Sequence, residues 1–364
     1  MKLTITQKNI YKALSLTERV VTKNASLPIL NNVLIKTENG RLKIAATNLE
    51  IGITCFVGAK IDEPGEITLP AKILTDFISA ITDEKIILST KQSTMSIVSD
   101  KYKTQILGVD PKDFPIIPKI KTQPFCKIES SLLKEILVSV ADSVAGSETR
   151  PELSGVFLKF KKDKIICAST DSFRLSERVG AIKASEEKSV ILPKNTVSEL
   201  IRITNEVGGS MEVRVGENQI SFSSDDCEVI SRLIDGVYPD YQKIIPEKSL
   251  SQILVKKDEL EKNTRLAGIF SSRISDVKIS SSKDVLTITA QNSEKGEVEA
   301  KMPIVLKNDP FEVSLNYHYL LDGLKHISSE HVIIEFTGEG SPLVIKPSTP
   351  EKLFTYIIMP LRQS

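Results

Sequence analysis

The feature that most constrains this chain is an internal repeat. Asn48, Asp171 and Asn292 occupy matching positions in the motifs ATNLE, STDSFRL and AQNSE, and they lie 123 and 121 residues apart. A strand-like run of alternating residues precedes each motif, and an amphipathic segment follows about 25 residues later. Each unit ends at a residue followed by proline. Because four landmarks keep one period, we interpret the chain as one structural unit that occurs three times.

Length agrees with this interpretation. A chain of 364 residues corresponds to two or three domains of roughly 100 to 200 residues, each large enough to bury its own core. The repeat predicts three domains, at residues 1–121, 122–247 and 248–364, with linkers near 119–124 and 246–251.

Within each unit the pattern predicts helix, strands, helix, strands. Asn39-Gly40 between two alternating runs indicates a tight hairpin, since a type I′ turn needs positive φ at both central residues. The fold class is therefore α+β, with helices covering one face of antiparallel sheet. The periodicity predicts helices at residues 6–21, 71–81, 130–144, 194–203, 258–270 and 316–327.

The first predicted helix has two distinct faces. Lys8, Lys12 and Arg19 fall within about 40° of one another, roughly opposite the apolar stripe that contains Ile10 and Leu14. A solvated helix face explains such a cationic stripe, and so does a surface that meets phosphates without reading bases. This helix alone favours the first explanation.

Charge is shared unevenly among the units. Lys and Arg against Asp and Glu number 17 and 12 in the first unit, 16 and 20 in the second, and 15 and 15 in the third. A conventional nucleic-acid binder has a clearly basic domain, so this pattern excludes that class. Any attraction to DNA is expected to be local.

Other compositional features indicate a cytoplasmic chain with no membrane segment. The N-terminus has no apolar signal-peptide core, and no run approaches a membrane span. The four cysteines are far apart, so buried reduced thiols are favoured over disulfides or a metal site. They are Cys55, Cys126, Cys167 and Cys227.

A search for catalytic or cofactor motifs finds none. Phosphate-binding loops, dinucleotide fingerprints, zinc-protease helices and nucleophile elbows are absent from the sequence. The three histidines, His318, His326 and His331, do not have the spacing of a ligand pair, and Asp225-Asp226 is interpreted as a hairpin corner. We therefore expect no enzyme activity, no cofactor and no metal, although residues distant in sequence can converge in a fold.

Four segments carry a resemblance to a known family. Residues 27–30 (LPIL), 168–175 (ASTDSFRL), 235–241 (DGVYPDY) and 356–362 (YIIMPLR) resemble the bacterial DNA polymerase III beta subunit, the sliding clamp. The resemblance covers essentially the whole chain in matching order. It implies three similar clamp-type domains, and a head-to-tail homodimeric ring whose helices line a hole for duplex DNA and whose sheets form the outer wall.

The resemblance also implies a function and partners. The chain would encircle duplex DNA independently of sequence and confer processivity on replication. It would tether the replicative polymerase alpha subunit, the clamp loader delta subunit, and other polymerases and repair proteins through short linear peptides.

By the same resemblance, the peptides would enter an apolar pocket with a polar rim. Relatives commonly have Gly-His where this chain has Ser172 and Phe173, and the chain extends past Arg362 by Gln363 and Ser364. Phe173 either narrows the pocket or adds an aromatic wall, and both alternatives stay open for peptide preference. For Leu175, Pro360 and Leu361 a purely structural role in the core or chain terminus is the alternative. The implied pocket residues are Leu153, Thr170, Ser172, Phe173, Arg174, Leu175, Pro239, Lys243, Ile244, Asn316, Tyr319, Ile357, Met359, Pro360, Leu361 and Arg362.

Two further sets follow from the resemblance. The dimer contact would join an edge strand near Thr104 and Ile106 to the helix end at Ile269 and Phe270 of the other subunit. For the helix-borne cations, plain solvation is the alternative to contact with DNA. The implied DNA-facing residues are Lys8, Lys12, Arg19, Lys23, Lys72, Lys194, Arg202 and Lys257.

Two other functional classes stay open. The first is a three-domain α+β binding scaffold without a DNA function, and the second is a hydrolase with an unrecognised site. A clamp predicts a dimer that is retained on circular but not linear DNA. A scaffold predicts neither property, and a hydrolase predicts turnover that single carboxylate substitutions abolish.

Overall fold

The structure is a computed structural model that describes residues 1–21, 27–146, 149–349 and 353–361. Of the residues named above, Lys23, Arg362, Gln363 and Ser364 lie outside the described residues. By its internal contacts the chain divides into two compact units, Met1–Leu133 with Ser198–Leu233 and Lys134–Val197 with Ile234–Ser364. The three domain boundaries derived from the repeat stay a prediction.

All six predicted helices form, with small differences in their ends. The first is shorter than predicted: the Thr6 hydroxyl caps its start by accepting from Asn9 N, and after Thr17 the chain tightens into the 3₁₀ turn Glu18–Val20. The fourth continues to Glu206, three residues beyond its predicted end. The helices are α1 Gln7–Thr17, α2 Ala71–Ala80, α3 Ser130–Ala141, α4 Lys194–Glu206, α5 Lys257–Ile269 and α6 Tyr317–Lys325.

Strands connect these helices in the predicted alternation. In the part of the chain that the structure describes they are β1 Lys2–Thr6, β2 Asn32–Glu38, β3 Arg41–Thr47, β4 Ile51–Gly58, β5 Lys60–Glu63, β6 Glu66–Pro70, β7 Lys85–Lys91, β8 Thr94–Val98, β9 Lys103–Leu107, β10 Cys126–Glu129, β11 Gly155–Phe160, β12 Lys164–Thr170, β13 Arg174–Ala181, β14 Lys183–Ala184, β15 Lys188–Pro193, β16 Ser210–Val215, β17 Gln219–Ser223, β18 Cys227–Arg232, β19 Ser251–Lys256, β20 Asp276–Ser281, β21 Val285–Asn292, β22 Gly296–Asn308, β23 Glu312–Asn316, β24 His331–Phe336, β25 Leu343–Pro347 and β26 Phe354–Ile358.

The first unit contains a five-stranded sheet in the order β5-β1-β7-β8-β9 and a second run of paired strands in the order β10-β16-β17-β18-β4-β3-β2-β6. The predicted hairpin joins β2 to β3, and both turn residues have positive φ, 50° at Asn39 and 74° at Gly40. Helices α1 and α2 pack on each other, and α1 also packs on β4. Ile10 and Leu14 are fully buried on the apolar side of α1, as its two-faced pattern predicts.

In the second unit twelve strands follow the order β15-β11-β12-β13-β26-β25-β24-β19-β22-β21-β20-β23. The long strand β22 serves two partners, since Ile304 to Asn308 pair with β19 and the preceding residues pair with β21. Helices α5 and α6 pack on each other. Gly323 lets α6 approach the sheet closely, because a Cβ there would overlap the ring of Tyr356. This seating fixes where the outer side chains of α6 lie.

Among the described residues, no helix combines the length and the apolar character that crossing a membrane requires.

Candidate functional site

The candidate site is built on the turn between β12 and β13 in the second unit. The Asp171 carboxylate accepts from Phe173 N and Arg174 N, both at 3.0 Å. The Thr170 hydroxyl accepts from Ser172 N at 3.1 Å and donates to Arg174 O at 2.7 Å. Ser172 has φ of 78°, in the left-handed region that few residues other than glycine adopt. These side-chain bonds hold a strained turn and fix the positions of its fourth and fifth residues, Phe173 and Arg174.

Arg174 is the charged centre of the site. Its Nε donates to Asp171 at 2.9 Å, its Nη1 donates to Asp322 on α6, and its Nη2 donates to the carbonyl of Asp142 at 2.6 Å. The guanidinium also lies 4.6 Å from the ring centre of Tyr319, within cation–π range. With 13% of its side chain exposed, Arg174 connects the turn, the end of α3 and α6 more than it faces solvent.

The same charges set the protonation of this cluster. Burial disfavours the charged guanidinium, but the surrounding Tyr356 and Asp322 outweigh that cost and hold the pKa of Arg174 above its usual value. A hydrogen bond from His326, at 2.9 Å, and the ammonium of Lys325 keep the pKa of Asp142 well below its usual range. Arg174 and Asp142 are therefore both charged at neutral pH, and their fixed charges can orient a polar backbone.

Beneath the turn lies an apolar floor. Leu153, Leu175 and Ile357 are each at most 2% exposed and belong to one cluster of buried residues. For Leu175 this is the structural alternative considered above, and Leu153 and Ile357 have the same role. Tyr238 and Tyr241 complete the floor against Phe157, with the ring centres of Phe157 and Tyr238 stacked 5.0 Å apart. Leu153, Leu175 and Ile357, together with the aromatic rings, therefore support the turn from the core and are not themselves accessible.

The accessible part of the site comprises the turn tip and the chain's last strand. Strand β26 pairs with β13, and Met359 N donates to Phe173 O at 2.8 Å just beyond the paired residues. Leu361 N then donates to Ser314 O at 2.8 Å, which ties down the tail. Phe173 is 61% exposed, and Met359, Pro360 and Leu361 are half-buried. Met359 therefore follows the last strand directly, and its backbone is bonded to that of the exposed Phe173.

The remaining predicted pocket residues have mixed surroundings. Asn316 caps α6 by accepting from His318 N at 2.9 Å, so its side chain has a structural task. Thr170 is buried at 8% exposure and serves the turn. Pro239 is half-buried, whereas Ile244 is 47% exposed and Lys243 forms an exposed ion pair with Asp240 at 3.0 Å.

Two residues that organise the site were not predicted from sequence. Asp142 and Asp322 supply acceptors to Arg174, from the end of α3 and from α6. Each is a single carboxylate outside any motif, so the sequence contained no signal for either. The sequence did contain a signal for Tyr238 and Tyr241, because both belong to the DGVYPDY segment that carries the family resemblance.

The predicted cations fall into two groups. Lys8, Lys12, Lys72 and Lys194 are exposed, Arg19 is exposed on the 3₁₀ turn after α1, and Lys257 is half-buried at the start of α5. Arg202 differs from the prediction of a free cation. Its side chain is 18% exposed, pairs with Glu199 at 2.7 Å and donates to Ser15 O at 2.9 Å, so it joins α4 to the end of α1.

The predicted interface residues are likewise unequal. Strand β9 is at the edge of its sheet, with Ile106 7% exposed and packed inward while Leu107 is 76% exposed. At the end of α5, Ile269 is 59% exposed, but Phe270 is half-buried against the core of the second unit. Leu107 is the exposed apolar residue that the sequence analysis missed, since alternation alone does not tell which face of an edge strand is buried.

Comparison with known proteins agrees with this architecture. Models of the N-terminal, central and C-terminal domains of the DNA polymerase III beta subunit match residues 1–118, 127–240 and 242–362. The chain belongs to the DNA polymerase III beta subunit family. The predicted clamp fold of three similar α+β domains and the predicted DNA sliding clamp function are confirmed.

Individual relatives of the family match over their full length. A beta sliding clamp of Staphylococcus aureus strain Mu50 is 26% identical over 377 residues, covering 100% of this chain and 99% of the relative. The DNA polymerase III beta subunit of Thermotoga maritima is 25% identical with a TM-score of 0.94, and a Pseudomonas aeruginosa sliding clamp bound to griselimycin is 25% identical with a TM-score of 0.95. Both structures cover 100% of this chain and are themselves covered in full.

The side chains that could bind a metal ion are scattered in the part of the chain that the structure describes. Within the described ranges, no group of three or more His, Cys, Asp or Glu side chains is placed to hold a metal ion.

Proposed function

We propose that two copies of this chain assemble head to tail into a ring around duplex DNA and hold client proteins there through the site at the β12–β13 turn. The observation that carries this proposal is the full-length match to a clamp family in three consecutive domains. The ring acts as a processivity factor and has no catalytic centre of its own. It works in the cytoplasm, where the chromosome is replicated.

Client peptides bind at the exposed rim around Phe173. An apolar anchor residue of the peptide packs between Phe173 and the half-buried Met359, and Ile244 extends the apolar surface. Arg174 holds the turn in place and does not itself need to bind the peptide, because its donors already have partners. The partners are the polymerase alpha subunit, the clamp loader delta subunit, and other polymerases and repair proteins.

DNA is held by loose, sequence-independent attraction. Lys8, Lys12, Arg19 and Lys72 offer exposed positive charge on and beside two packed helices, and Lys194 and Lys257 offer more on α4 and α5. Such contacts are screened by salt and read no bases, as sliding requires. Arg202 contributes by connecting α4 to α1, and Lys23, which lies outside the described residues, stays a prediction from the sequence.

The ring closes through the edge of β9 and the end of α5. Strand β9 offers an unpaired backbone edge near Thr104 and Ile106, with Leu107 exposed beside it. Ile269, with Phe270 behind it, offers the apolar counterpart on the other subunit. A substitution at the exposed position alone, Ile269→Asp, is expected to give folded monomers in sedimentation experiments, because Phe270 packs on the core and is left in place. A dimer that persists at nanomolar concentration would move the interface elsewhere.

Retention on DNA tests the central proposal. The purified protein is loaded onto nicked circular DNA by a clamp loader with ATP, and the circle is then cut at one site. Loss of the protein on cutting is expected, because a ring can slide off a free end. Equal retention on both forms would show ordinary affinity, and failure to load on the circle would favour a scaffold without a DNA function.

Peptide binding tests the site. Met359→Ala is expected to weaken a polymerase-derived peptide about tenfold, since it removes half of the apolar contact while leaving the backbone bond from Met359 N to Phe173 O. Sedimentation of the same variant should still show a dimer. Unchanged peptide affinity would remove Met359 from the site.

A further inference from the structure

Two buried cysteines face each other across neighbouring strands of the first unit. Cys55 on β4 and Cys227 on β18 are directly opposite in the antiparallel register. Their Sγ atoms are 3.5 Å apart, and each residue is 2% exposed. Sequence analysis treats them as unrelated thiols because 172 positions separate them. The fold therefore creates a dithiol that spacing could not indicate.

The strand pairing around the two cysteines is compatible with a disulfide. Phe56 N donates to Asp226 O at 2.8 Å, and Arg232 N donates to Glu50 O at 2.9 Å. These bonds mark the hydrogen-bonded pairs of the ladder, so Cys55 and Cys227 form one of the alternating non-hydrogen-bonded pairs. Cα atoms in such pairs lie about 4.5 Å apart, within the range of roughly 4.4 to 6.8 Å that disulfides span. Only side-chain rotation is needed to bring the sulfurs into bonding distance.

The pair is both protected and reachable. Its hydrogen bond with Cys227 and its burial raise the pKa of the Cys55 thiol well above its usual value, and the charges of Arg202 and Lys12 oppose this only weakly. Cys55 is therefore a thiol at neutral pH. A cavity of about 530 Å³ is lined by residues that include both cysteines together with Lys12, Arg41 and Asp226, so the pair lies at the wall of a space that a small oxidant can enter.

We propose that Cys55 and Cys227 form a reversible disulfide when the protein meets hydrogen peroxide. One sulfur, as thiolate, attacks a peroxide oxygen; the O–O bond breaks, and the departing hydroxide takes up a proton to give water. The second sulfur attacks the resulting sulfenic acid, the S–S bond forms, and a second water leaves. Two thiols lose two electrons and the peroxide gains them, and a dithiol reductant reverses the step.

The disulfide joins regions that belong to different family domains. Cys55 lies in the range matched by the N-terminal model and Cys227 in the range matched by the central model. The cross-link closes a long loop, and this lowers the entropy of the unfolded chain. Oxidation therefore stabilises the β4–β18 pairing against opening.

Thiol counting on the full-length protein tests the proposal. After treatment with hydrogen peroxide, the titratable thiols under denaturing conditions are expected to fall from four to two. Non-reducing peptide mapping should show Cys55 linked to Cys227, and intact mass should show the loss of two hydrogen atoms. Dithiothreitol should restore all four thiols. The oxidised protein should unfold roughly 5 °C or more above the reduced protein.

The other two cysteines are internal controls. Cys126 and Cys167 are buried on β10 and β12, and burial raises the pKa of Cys126 to about 11. Cys126→Ala is expected to lose two of its three thiols on oxidation, whereas Cys55→Ala should keep all three. Four thiols retained in the unmodified protein, a link that includes Cys126 or Cys167, or a gain of oxygen without a cross-link would each overturn the proposal. None of these outcomes depends on DNA or on client binding.

Discussion

Two copies of one turn show how this protein separates structure from function. In the first unit the Thr47 hydroxyl accepts from Leu49 N at 3.0 Å, and Asn48 Oδ1 accepts from Glu50 N and Ile51 N at 3.0 and 2.8 Å. Thr170, Asp171 and the residues after them in the second unit repeat these bonds. The third residue has φ of 75° in the first copy and 78° in the second. The two turns therefore have the same backbone conformation and the same local hydrogen bonds.

The side chains at the fourth and fifth positions differ. Ile51 is 3% exposed and contributes to the core, whereas Arg174 occupies the same place in the second copy and binds three acceptors. Glu50 precedes Ile51, and the exposed Phe173 precedes Arg174. A repeated turn therefore supplies the rigid support, and two side chains turn one copy into a candidate binding site. Exchanging residues between the copies tests this directly.

Arg174→Ile, which copies the first turn, is expected to have the largest effect. It removes the guanidinium that donates to Asp171, Asp322 and the Asp142 carbonyl, at a cost of about 3 kcal/mol in the free energy of unfolding. Urea titration followed by circular dichroism measures this cost, and peptide affinity should fall as well because α6 and the turn lose their link. Arg178→Ala is the matched control. Arg178 lies on β13 like Arg174, is also buried, and pairs with Glu135 on α3. It should cost similar stability but leave peptide affinity unchanged, and equal peptide loss in both variants would show a general effect of destabilisation.

Asp171→Asn and its reverse, Asn48→Asp, come next. Asn can still accept from the two backbone N–H groups, so the turn is kept, but the ion pair of Asp171 with Arg174 at 2.9 Å is lost. The expected cost is about 2 kcal/mol, the value of a buried hydrogen bond between charged groups. Asn48→Asp should change the free energy of unfolding by less than about 0.5 kcal/mol, because no cation is bound there. Equal costs at both turns would mean that Arg174 does not distinguish them.

Sequence reasoning found the turns and helices but not the partners of Arg174. Asp171 and Asn48 could be matched because each turn is local, and its bonds reach no further than four residues. The helices were found because their apolar period depends on one face alone. Asp142 and Asp322 lie 32 and 148 positions from Arg174, and nothing near either residue indicates that they meet.

The third copy shows the limit of the repeat. Asn292 Oδ1 accepts from Glu294 N at 2.9 Å, but its amide also donates to Ser271 O, and the positive φ falls on Gly296. The weak sequence match at AQNSE therefore corresponds to a different turn. The side chain of Ile106 is 7% exposed; a strand's alternation gives two faces without saying which one the core covers, and the place of Ile106 at the dimer contact stays a prediction.

Phe173→Glu, which copies Glu50, is expected to lower the affinity of a polymerase-derived peptide about tenfold. The substitution removes an exposed aromatic surface and adds a charge to an apolar rim, and the loss corresponds to about 1.4 kcal/mol. Fluorescence anisotropy with a labelled peptide measures it. Since the ring is 61% exposed, the free energy of unfolding should change little. Phe173→Tyr keeps the ring and should bind nearly as well as the unmodified protein, and a tenfold loss there too would point to a role other than apolar contact.

The smallest effects are expected at the strained third position, where the two copies should behave alike. Leu49→Gly and Ser172→Gly both relieve a left-handed backbone that costs about 1 to 2 kcal/mol for an L-residue, and both add flexibility to the unfolded chain. The relieved strain slightly exceeds the cost of the added flexibility, so the free energy of unfolding should rise by about 0.5 kcal/mol at each turn. A shift of the urea midpoint measures this rise. Ser172→Ala separates strain from contact, because it keeps the left-handed backbone at an L-residue but removes the 3.4 Å hydrogen bond from Arg150.

If Ser172→Gly stabilises the fold and also leaves peptide affinity intact, the strain is a consequence of the repeated turn. If stabilisation comes with weaker binding, the second copy uses its strain to hold Phe173 in place, and the two turns differ in more than their side chains.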